Sequence, residues 1–170
     1  KSKKTRPLKD AVKESIFNIL FFSKKINIEI SRANILDLFS GSGSFGLECF
    51  SRGANKIFFF ENDIEVFNIL KKNTNQFLQE KKIEIINSKA ENFKTFLFNE
   101  KFDLVFLDPP FKEKNLINII SKIKKEKILK KKHILIIHRE KGSKDDFNSN
   151  LNILFEKKYG RSKITFAEII

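Results

Sequence analysis

The sequence predicts an α/β fold built on a doubly wound, mostly parallel sheet with helices on both faces. Short apolar segments typical of buried strands alternate along the chain with segments whose apolar residues recur at helical spacing. A glycine-rich turn, Gly41 to Gly46, follows the first of these strands and leads into a helix. No repeat, low-complexity linker or Pro/Gly-rich boundary interrupts the 170 residues, so residues 1–170 are expected to form a single domain.

Each element is predicted from its own stretch of the pattern. The first helix, over residues 9–22, has Asp10 near its start and apolar residues from Val12 to Leu20 at helical spacing. Further helices are predicted from the glycine turn to about Arg52 and over residues 63–80, 90–98 and 113–125. Strands are predicted over residues 34–39, 55–61, 82–87, 102–108, 133–139, 152–159 and 163–169. The last two are expected to pair through a turn at Tyr159-Gly160-Arg161 and to give the sheet an antiparallel edge.

Composition limits the classes to which the protein can belong. A net charge of +13 favours a polyanionic partner, and no apolar run approaches the roughly 20 residues of a membrane span. One cysteine and two histidines argue against an internal disulfide and against a zinc site, so we expect no metal. The expected protein is therefore a cytoplasmic monomer without membrane contact. Because residue 1 is a lysine, an N-terminal piece is expected to be missing.

Residues around the glycine turn form a candidate nucleotide site. In sheets of this class, ligands bind beyond the carboxyl ends of the strands. Gly41, Gly43 and Gly46 let the main chain turn there and approach a ligand closely. Glu61 ends the second strand, 24 residues after Asp37, and a carboxylate in that place can accept two hydrogen bonds from a ribose.

The identity of the cofactor depends on Asp37. A dinucleotide places its pyrophosphate at a helix N-terminus, whereas S-adenosylmethionine (SAM) carries a sulfonium and an amino acid that favour a nearby carboxylate. Asp37 stands just before the turn and supplies that carboxylate, so the pattern favours SAM over NAD. The alternative is a structural glycine turn whose loop Asp37 merely holds, and Glu61 at the second contact position argues against it.

The turn Asp108-Pro109-Pro110-Phe111 follows the fourth strand, which lies beside the first in a doubly wound sheet. The two prolines stiffen the turn, so that the Asp108 side chain and the Pro109 carbonyl present two acceptors to an exocyclic amine. Phe111 offers a flat ring on which a base can stack. These residues indicate methylation of a flipped base at its amine, with Asp108 helping to receive the proton. Taken alone, the four residues could also be an ordinary strand-ending turn.

Three stretches, DLFSGSGSFGLE, FFFEND and DPPF, together resemble the class I SAM-dependent methyltransferases that modify exocyclic amines. The segment TRPLKDAVKESIFNIL, residues 5–20, is more specific. It is similar to the R-P-T-x-D-[RK]-V-[RK]-E-x-x-F-N segment of the RsmD family of bacterial 16S ribosomal RNA guanine-N2 methyltransferases. The resemblance covers nearly the whole chain. It implies a Rossmann-like class I methyltransferase fold and methylation of one guanine at N2 in 16S ribosomal RNA, within a small-subunit particle.

The resemblance also implies roles for individual residues. At the target base it places Asp108, Pro109, Pro110 and Phe111. At the cofactor it places Asp37, Phe39, Gly41, Gly43, Gly46, Glu61 and Asn62. At the entrance of the site it places Arg6, Pro7, Asp10, Lys13, Glu14 and Asn18. Leu8 and Ala11 depart from the family pattern, and Lys89 stands where an acidic or polar residue often holds the adenine, so no adenine contact is assigned to Lys89.

The positive charge is expected to meet RNA phosphates at the rim of the same edge of the sheet. Lys112 and Lys114, just after the D-P-P-F turn, are two candidates. Others lie at the N-terminus and after the fifth strand: Lys1, Lys3, Lys4, Arg6, Arg139, Lys141 and Lys144. The lysine-rich run 122–132 is expected to be solvated surface at the opposite edge.

Three other functions stay open at this stage. A DNA or RNA adenine-N6 methyltransferase would share a D-P-P-F-like turn, although so short a chain shows no separate DNA-recognition domain. A non-catalytic assembly factor that binds nucleotides and RNA would not need an amine acceptor at Asp108. An NAD-dependent oxidoreductase would differ in preferring NAD to SAM.

Overall fold

The computed structural model describes residues 10–26, 28–94, 98, 100–147 and 149–170. Within these residues the helices are α1 (Asp10–Phe22), α2 (Ser44–Ser51), α3 (Ile64–Thr74) and α4 (Leu116–Lys125). The strands are β1 (Asn34–Leu38), β2 (Lys56–Glu61), β3 (Ile83–Asn87), β4 (Phe102–Leu107), β5 (Leu129–Glu140), β6 (Leu151–Tyr159) and β7 (Ser162–Ile169).

One seven-stranded sheet organises the chain, in the order β3-β2-β1-β4-β5-β7-β6. The strands β1 to β5 are parallel, and β7 pairs antiparallel with both β5 and β6. The predicted doubly wound sheet with an antiparallel C-terminal pair is therefore confirmed. Because the strand order reverses between the neighbours β1 and β4, their carboxyl ends form the switch point at which ligands bind in such sheets.

The sheet buries two separate apolar layers. On one side, called the α1 face, α1 and α2 pack on the sheet, and the Phe45 ring stacks on the Phe106 ring of β4 at 3.9 Å between centroids. On the other side, the α4 face, α4 buries Leu116, Ile119, Ile120 and Ile123. Successive strand residues point to opposite faces. The strand residues of the α1 face are accordingly every second one, namely Ile35, Ile57, Phe59, Ile83, Leu104, Phe106, Ile134, Ile136, Ile164 and Phe166.

Some predicted boundaries were wrong where main-chain bonding, not side-chain pattern, decides the element. Helix 63–80 is α-helical only to Thr74 and continues as a 3-10 segment, Asn75–Glu80. Of the predicted helix 90–98, Ala90–Asn92 form a 3-10 segment, and residues 95–97 lie outside the described residues. The last helix begins at Leu116, since the preceding residues form a turn in which Glu113 N–H donates to the Pro110 carbonyl. β5 begins four residues earlier than predicted, because its main chain already pairs with β4 at Leu129.

The lysine-rich run 122–132 is only partly solvated surface. Lys124 and Lys125 are exposed, as expected. Lys122, however, donates through Nζ to the Glu91 carbonyl at 2.7 Å and lies 4.8 Å from the centroid of the Phe93 ring. Lys130 pairs with Asp103 at 2.7 Å. Lys122 and Lys130 therefore make contacts with residues distant in sequence.

Among the helices of the described residues, none has the length and apolar character needed to cross a membrane.

Candidate active site

The side chains predicted to act together emerge at one edge of the sheet and on one face. Asp37 follows Ile35 by two residues, Glu61 follows Phe59 and Asp108 follows Phe106, so strand alternation points all three carboxylates toward the α1 face. β1 lies between β2 and β4, and Asp37 is level with Phe106 in the β1–β4 register. The cofactor half and the target-base half of the predicted site therefore meet across one strand.

The glycine turn leaves its outer side open. Gly41 has a φ of +57°, in the left-handed region, and a Cβ added to it would meet nothing within 4 Å. Gly43 and Phe39 also have positive φ values, of 84° and 63°. Gly46 differs, because a Cβ there would lie 2.3 Å from the buried Phe59 ring, so this glycine lets α2 approach β2. Open space above Gly41 is where a ligand could lie against the main chain.

Asp37 is a buried carboxylate with one unsatisfied oxygen. Its Oδ2 accepts from Gly46 N–H at 3.2 Å, while Oδ1 has no partner among the described residues. Burial raises the pKa of Asp37 well above its ordinary value, and the negative charges of Asp108 and Glu61 raise it further, against the opposing effect of the Gly46 hydrogen bond. A cation beside Oδ1 would relieve this accumulation of negative charge.

Glu61 connects the end of β2 to the glycine turn. Its Oε2 accepts from Gly41 N–H at 2.9 Å and its Oε1 accepts from Asp63 N–H at 2.8 Å. Each carboxylate oxygen keeps a second acceptor position, so these bonds orient Glu61 without exhausting it. Asn62, next in the chain, is exposed, and its carbonyl accepts from the Asn87 side chain at 3.4 Å.

Asp108 is held by a side chain that the sequence did not single out for chemistry. His138 of β5 lies with Nδ1 2.7 Å from Asp108 Oδ1, and its Nε2 lies 2.9 Å from Ser162 Oγ at the start of β7. The ring of Phe111 meets the imidazole edge to face, with centroids 5.9 Å apart. Thus three adjacent strand ends, from β4, β5 and β7, converge on the turn. The sequence carried one sign of this role. His138 continues the alternation of Ile134 and Ile136, which puts its side chain on the α1 face with the three carboxylates.

A buried arginine holds the D-P-P-F turn from the other face. Arg139 donates to the Pro110 carbonyl at 3.2 Å and to the Glu113 carbonyl at 2.9 Å. Its Nε and second terminal nitrogen also donate to Asp145, at 2.7 and 3.2 Å. Arg139 was predicted at the RNA-facing rim, and its burial corrects that placement. The hydrogen bonds of its guanidinium go to the turn and to Asp145.

The remaining predicted contacts divide by position. Lys112 and Lys114 are exposed beside the turn, where phosphates could reach them. Lys13 of α1 donates through Nζ to Ser44 Oγ, at 3.0 Å, at the start of α2, and lies 3.5 Å from the exposed Asp10. Asn18 is exposed five residues further along α1. Arg6, Pro7 and the lysines before them lie outside the described residues.

α1 is also tied to the C-terminal hairpin. The Ser15 hydroxyl hydrogen-bonds the Tyr159 hydroxyl at the end of β6. Arg161, in the turn of the same hairpin, pairs with Glu140 at the end of β5 at 2.7 Å. The conspicuous stretch around Tyr159-Gly160-Arg161 therefore borders the same edge of the sheet as the carboxylates.

Comparison with known proteins gives the relatives of this chain. Residues 1–168 match the family described as "Conserved hypothetical protein 95". The chain is 36% identical over 157 residues to "Ribosomal RNA small subunit methyltransferase D" of Haemophilus influenzae, covering 91% of this chain and 78% of that protein.

Solved structures share the fold. A conserved hypothetical protein of Streptococcus pyogenes superimposes with a TM-score of 0.77 at 27% identity, covering 92% of this chain and 94% of that one. A ribosomal protein L11 methylase of Lactobacillus delbrueckii has a TM-score of 0.67 at 13% identity, covering 91% and 76%. The second likeness shows the fold alone.

Replacing Arg139 by alanine should destabilise the protein strongly. The change strands the partly buried Asp145 carboxylate, and breaking a buried pair from one side costs about 3–5 kcal/mol. Arg161→Ala is the matched control, because that arginine makes a pair of the same 2.7 Å length but its side chain is 75% exposed, so a loss below about 1 kcal/mol is expected. Urea unfolding of both variants measures the difference, and equal losses would contradict it.

The stability of the protein should carry a pH signature of Asp37. Its pKa is raised in the folded state, so the folded chain binds this proton more tightly than the unfolded chain does. The associated stability is fully present below about pH 4 and is lost as the pH rises toward the raised native pKa. Asp37→Asn cannot titrate and should gain in free energy of unfolding relative to wild type as pH rises. A pH series of urea unfolding curves checks this, and a constant difference would refute it.

Proposed function

Since the chain belongs to the RsmD family of 16S ribosomal RNA methyltransferases, we propose that it transfers a methyl group from SAM to the exocyclic N2 amine of a guanine in 16S ribosomal RNA. The substrate we propose is the RNA within a small-subunit particle. The observation that carries the proposal is the meeting, on one face and at one edge of the sheet, of the glycine turn with Asp37 and Glu61 and of the D-P-P-F turn.

The residues present fit SAM. When bound, SAM supplies a methyl group activated on a sulfonium cation. Asp37 offers a buried oxygen without a partner toward a cationic ligand, and the space above Gly41 is open. Glu61 is already oriented by two main-chain donors and keeps acceptor capacity for ribose hydroxyls. A nucleotide with a pyrophosphate would instead bring further negative charge beside three carboxylates.

The D-P-P-F turn is suited to an amine. His138 occupies Asp108 Oδ1, and no hydrogen bond from the described residues reaches Oδ2. Oδ2 and the Pro109 carbonyl can each accept one N–H of a guanine amine, while Phe111 stacks on the base. Acceptors that hold both hydrogens out of the plane of the ring reduce the conjugation of the nitrogen lone pair and favour a nucleophilic nitrogen. The nitrogen would then bond to the methyl group as the methyl–sulfur bond breaks and leaves a neutral thioether, and it would lose one proton, which Asp108 could receive.

Long-range charge favours an RNA substrate. The chain has a net charge of +13, and Lys112 and Lys114 are exposed directly after the catalytic turn. Contacts between such lysines and phosphates position a nucleic acid without reading its sequence. The selection of one guanine must then come from the shape of the particle and from the pocket that takes the flipped base.

Methyl transfer to small subunits tests the proposed function. Labelled SAM is incubated with small subunits that lack the modification, and with naked 16S RNA in parallel, and the labelled nucleotide is mapped. We expect label on N2 of a single guanine, more efficiently in the particle. Label on adenine N6, or on protein alone, would overturn the assignment.

Substitutions should separate the two halves of the site. Asp108→Asn removes the proton acceptor, so transfer should fall by about 10²- to 10⁴-fold while SAM affinity stays near that of wild type. Glu61→Ala should weaken SAM binding first, because the ribose loses its acceptor. Exposed Glu29, before β1, supplies the control Glu29→Ala, which should change neither quantity. Calorimetry and single-turnover rates measure both effects, and loss of SAM binding in Asp108→Asn would show that the division is wrong.

A further inference from the structure

We propose that His138 is a positioning residue for methyl transfer: it holds Asp108 through Oδ1 so that Oδ2 is aimed at the target amine, and Ser162 holds the imidazole in turn. The inference rests on the proposed function and extends it to residues outside the D-P-P-F turn. It assigns a role to the strand pair β5–β7, which supplies His138 and Ser162.

Two hydrogen bonds of His138 connect residues at the ends of three neighbouring strands. Asp108 follows β4, His138 lies in β5 beside it, and Ser162 begins β7 on the far side of β5. The two contacts measure 2.7 and 2.9 Å, within the range of good hydrogen bonds. His138 is only 8% exposed, so water competes little for either nitrogen. A side chain fixed at both ring nitrogens cannot rotate without breaking one bond.

Hydrogen-bond chemistry decides which group donates and which accepts in the series from Ser162 through His138 to Asp108. An ionised carboxylate only accepts, so the 2.7 Å contact requires the proton on Nδ1. In the neutral imidazole, Nε2 is then an acceptor, and Ser162 Oγ–H must donate to it. Oδ1 is thereby satisfied by a fixed donor. The carboxylate plane is set, and Oδ2 is left for the amine.

The same imidazole also touches the residue expected to stack on the base. Phe111 meets His138 at an interplanar angle of 82° and a centroid distance of 5.9 Å. His138 therefore bears on both the acceptor and the stacking surface of the pocket. Misplacing a reacting group by about 1 Å can cost about 10²-fold in rate. We therefore expect the contacts of His138 to affect the rate of transfer and not the affinity for the cofactor.

The fold allows the role of His138 to be isolated. Arg139 holds the Pro110 and Glu113 carbonyls from the α4 face, independently of the imidazole. Loss of His138 should therefore leave the turn in place, release the Asp108 carboxylate and remove the edge-to-face contact with the Phe111 ring. A purely structural histidine would instead affect unfolding and cofactor binding along with the rate.

The first test reads the tautomer directly, without activity. The protein has two histidines, and His133 is a built-in reference. Its Nδ1 must donate to the Lys130 carbonyl at 2.9 Å, and its Nε2 must accept from Ile169 N–H at 3.0 Å. Long-range nitrogen–proton NMR of the nitrogen-labelled protein should show the Nδ1–H pattern for His138 as well, with its Nε2 signal displaced in Ser162→Ala. A His138 proton on Nε2 alone would overturn the proposal.

The second test measures single-turnover methyl transfer to small subunits. His138→Ala should lower the rate by about 10- to 100-fold with SAM affinity unchanged. His138→Asn places an amide N–H near the position of Nδ1 and should recover much of the loss, whereas His138→Gln, whose amide reaches the position of Nε2, should not. His133→Asn is the matched histidine control and should keep the wild-type rate.

The outcomes separate the two proposals. A wild-type rate in His138→Ala, or equal rates in the Asn and Gln variants, overturns the positioning role while leaving the proposed function intact. If wild-type protein fails to methylate small subunits, the proposed function falls, and the transfer role of His138 falls with it. The tautomer experiment still decides whether His138 holds Asp108.

Discussion

The adjacency of β1 and β4 in parallel register is the constraint on which the site depends. It brings the end of the strand that carries Asp37 beside the end of the strand that leads to Asp108. Side-chain alternation then decides that both carboxylates, with Glu61 from β2, face the same side. A shift of one residue in any of these strands would send its carboxylate into the apolar layer beneath α4. The same register that packs the core therefore also assembles the site.

Three carboxylates meet at this edge, and their negative charge would favour a cationic ligand over an anionic one. Burial and the charges of Asp108 and Glu61 disfavour ionisation of Asp37, and one Asp37 oxygen has no partner among the described residues. Such an arrangement is unfavourable for the isolated protein. A sulfonium or ammonium group beside Asp37 would offset part of that cost. Binding sites commonly contain groups that lower the stability of the unliganded protein, and the buried Asp37 carboxylate is such a group.

Two side chains, adjacent in sequence and pointing to opposite faces, hold the D-P-P-F turn. Arg139 fixes the main chain of the turn on the α4 face, and His138 fixes the Asp108 carboxylate on the α1 face. This division fixes the main chain of the turn and the orientation of the Asp108 carboxylate separately, as the proposed transfer to an amine would need. Both residues come from β5, so the middle of the sheet and not the turn itself determines the geometry. The antiparallel strand β7 completes the arrangement by bringing Ser162 to the imidazole.

The sequence by itself determined the fold class, the glycine turn, the three carboxylates and the family, because period-two and helical patterns and short motifs are local properties of the chain. It also placed Asp108 and Asp37 at one edge, since parallel strands end together. It could not show that Arg139 is buried and hydrogen-bonded to Asp145. An arginine at the end of an apolar strand has the same local pattern as an exposed arginine at the edge of the sheet. The contact of His138 with both Asp108 and Ser162, residues 30 and 24 positions away, depends on β5 lying between β4 and β7 in the sheet. Hydrogen bonds between strands distant in sequence depend on register and strand order, and tertiary structure alone decides these.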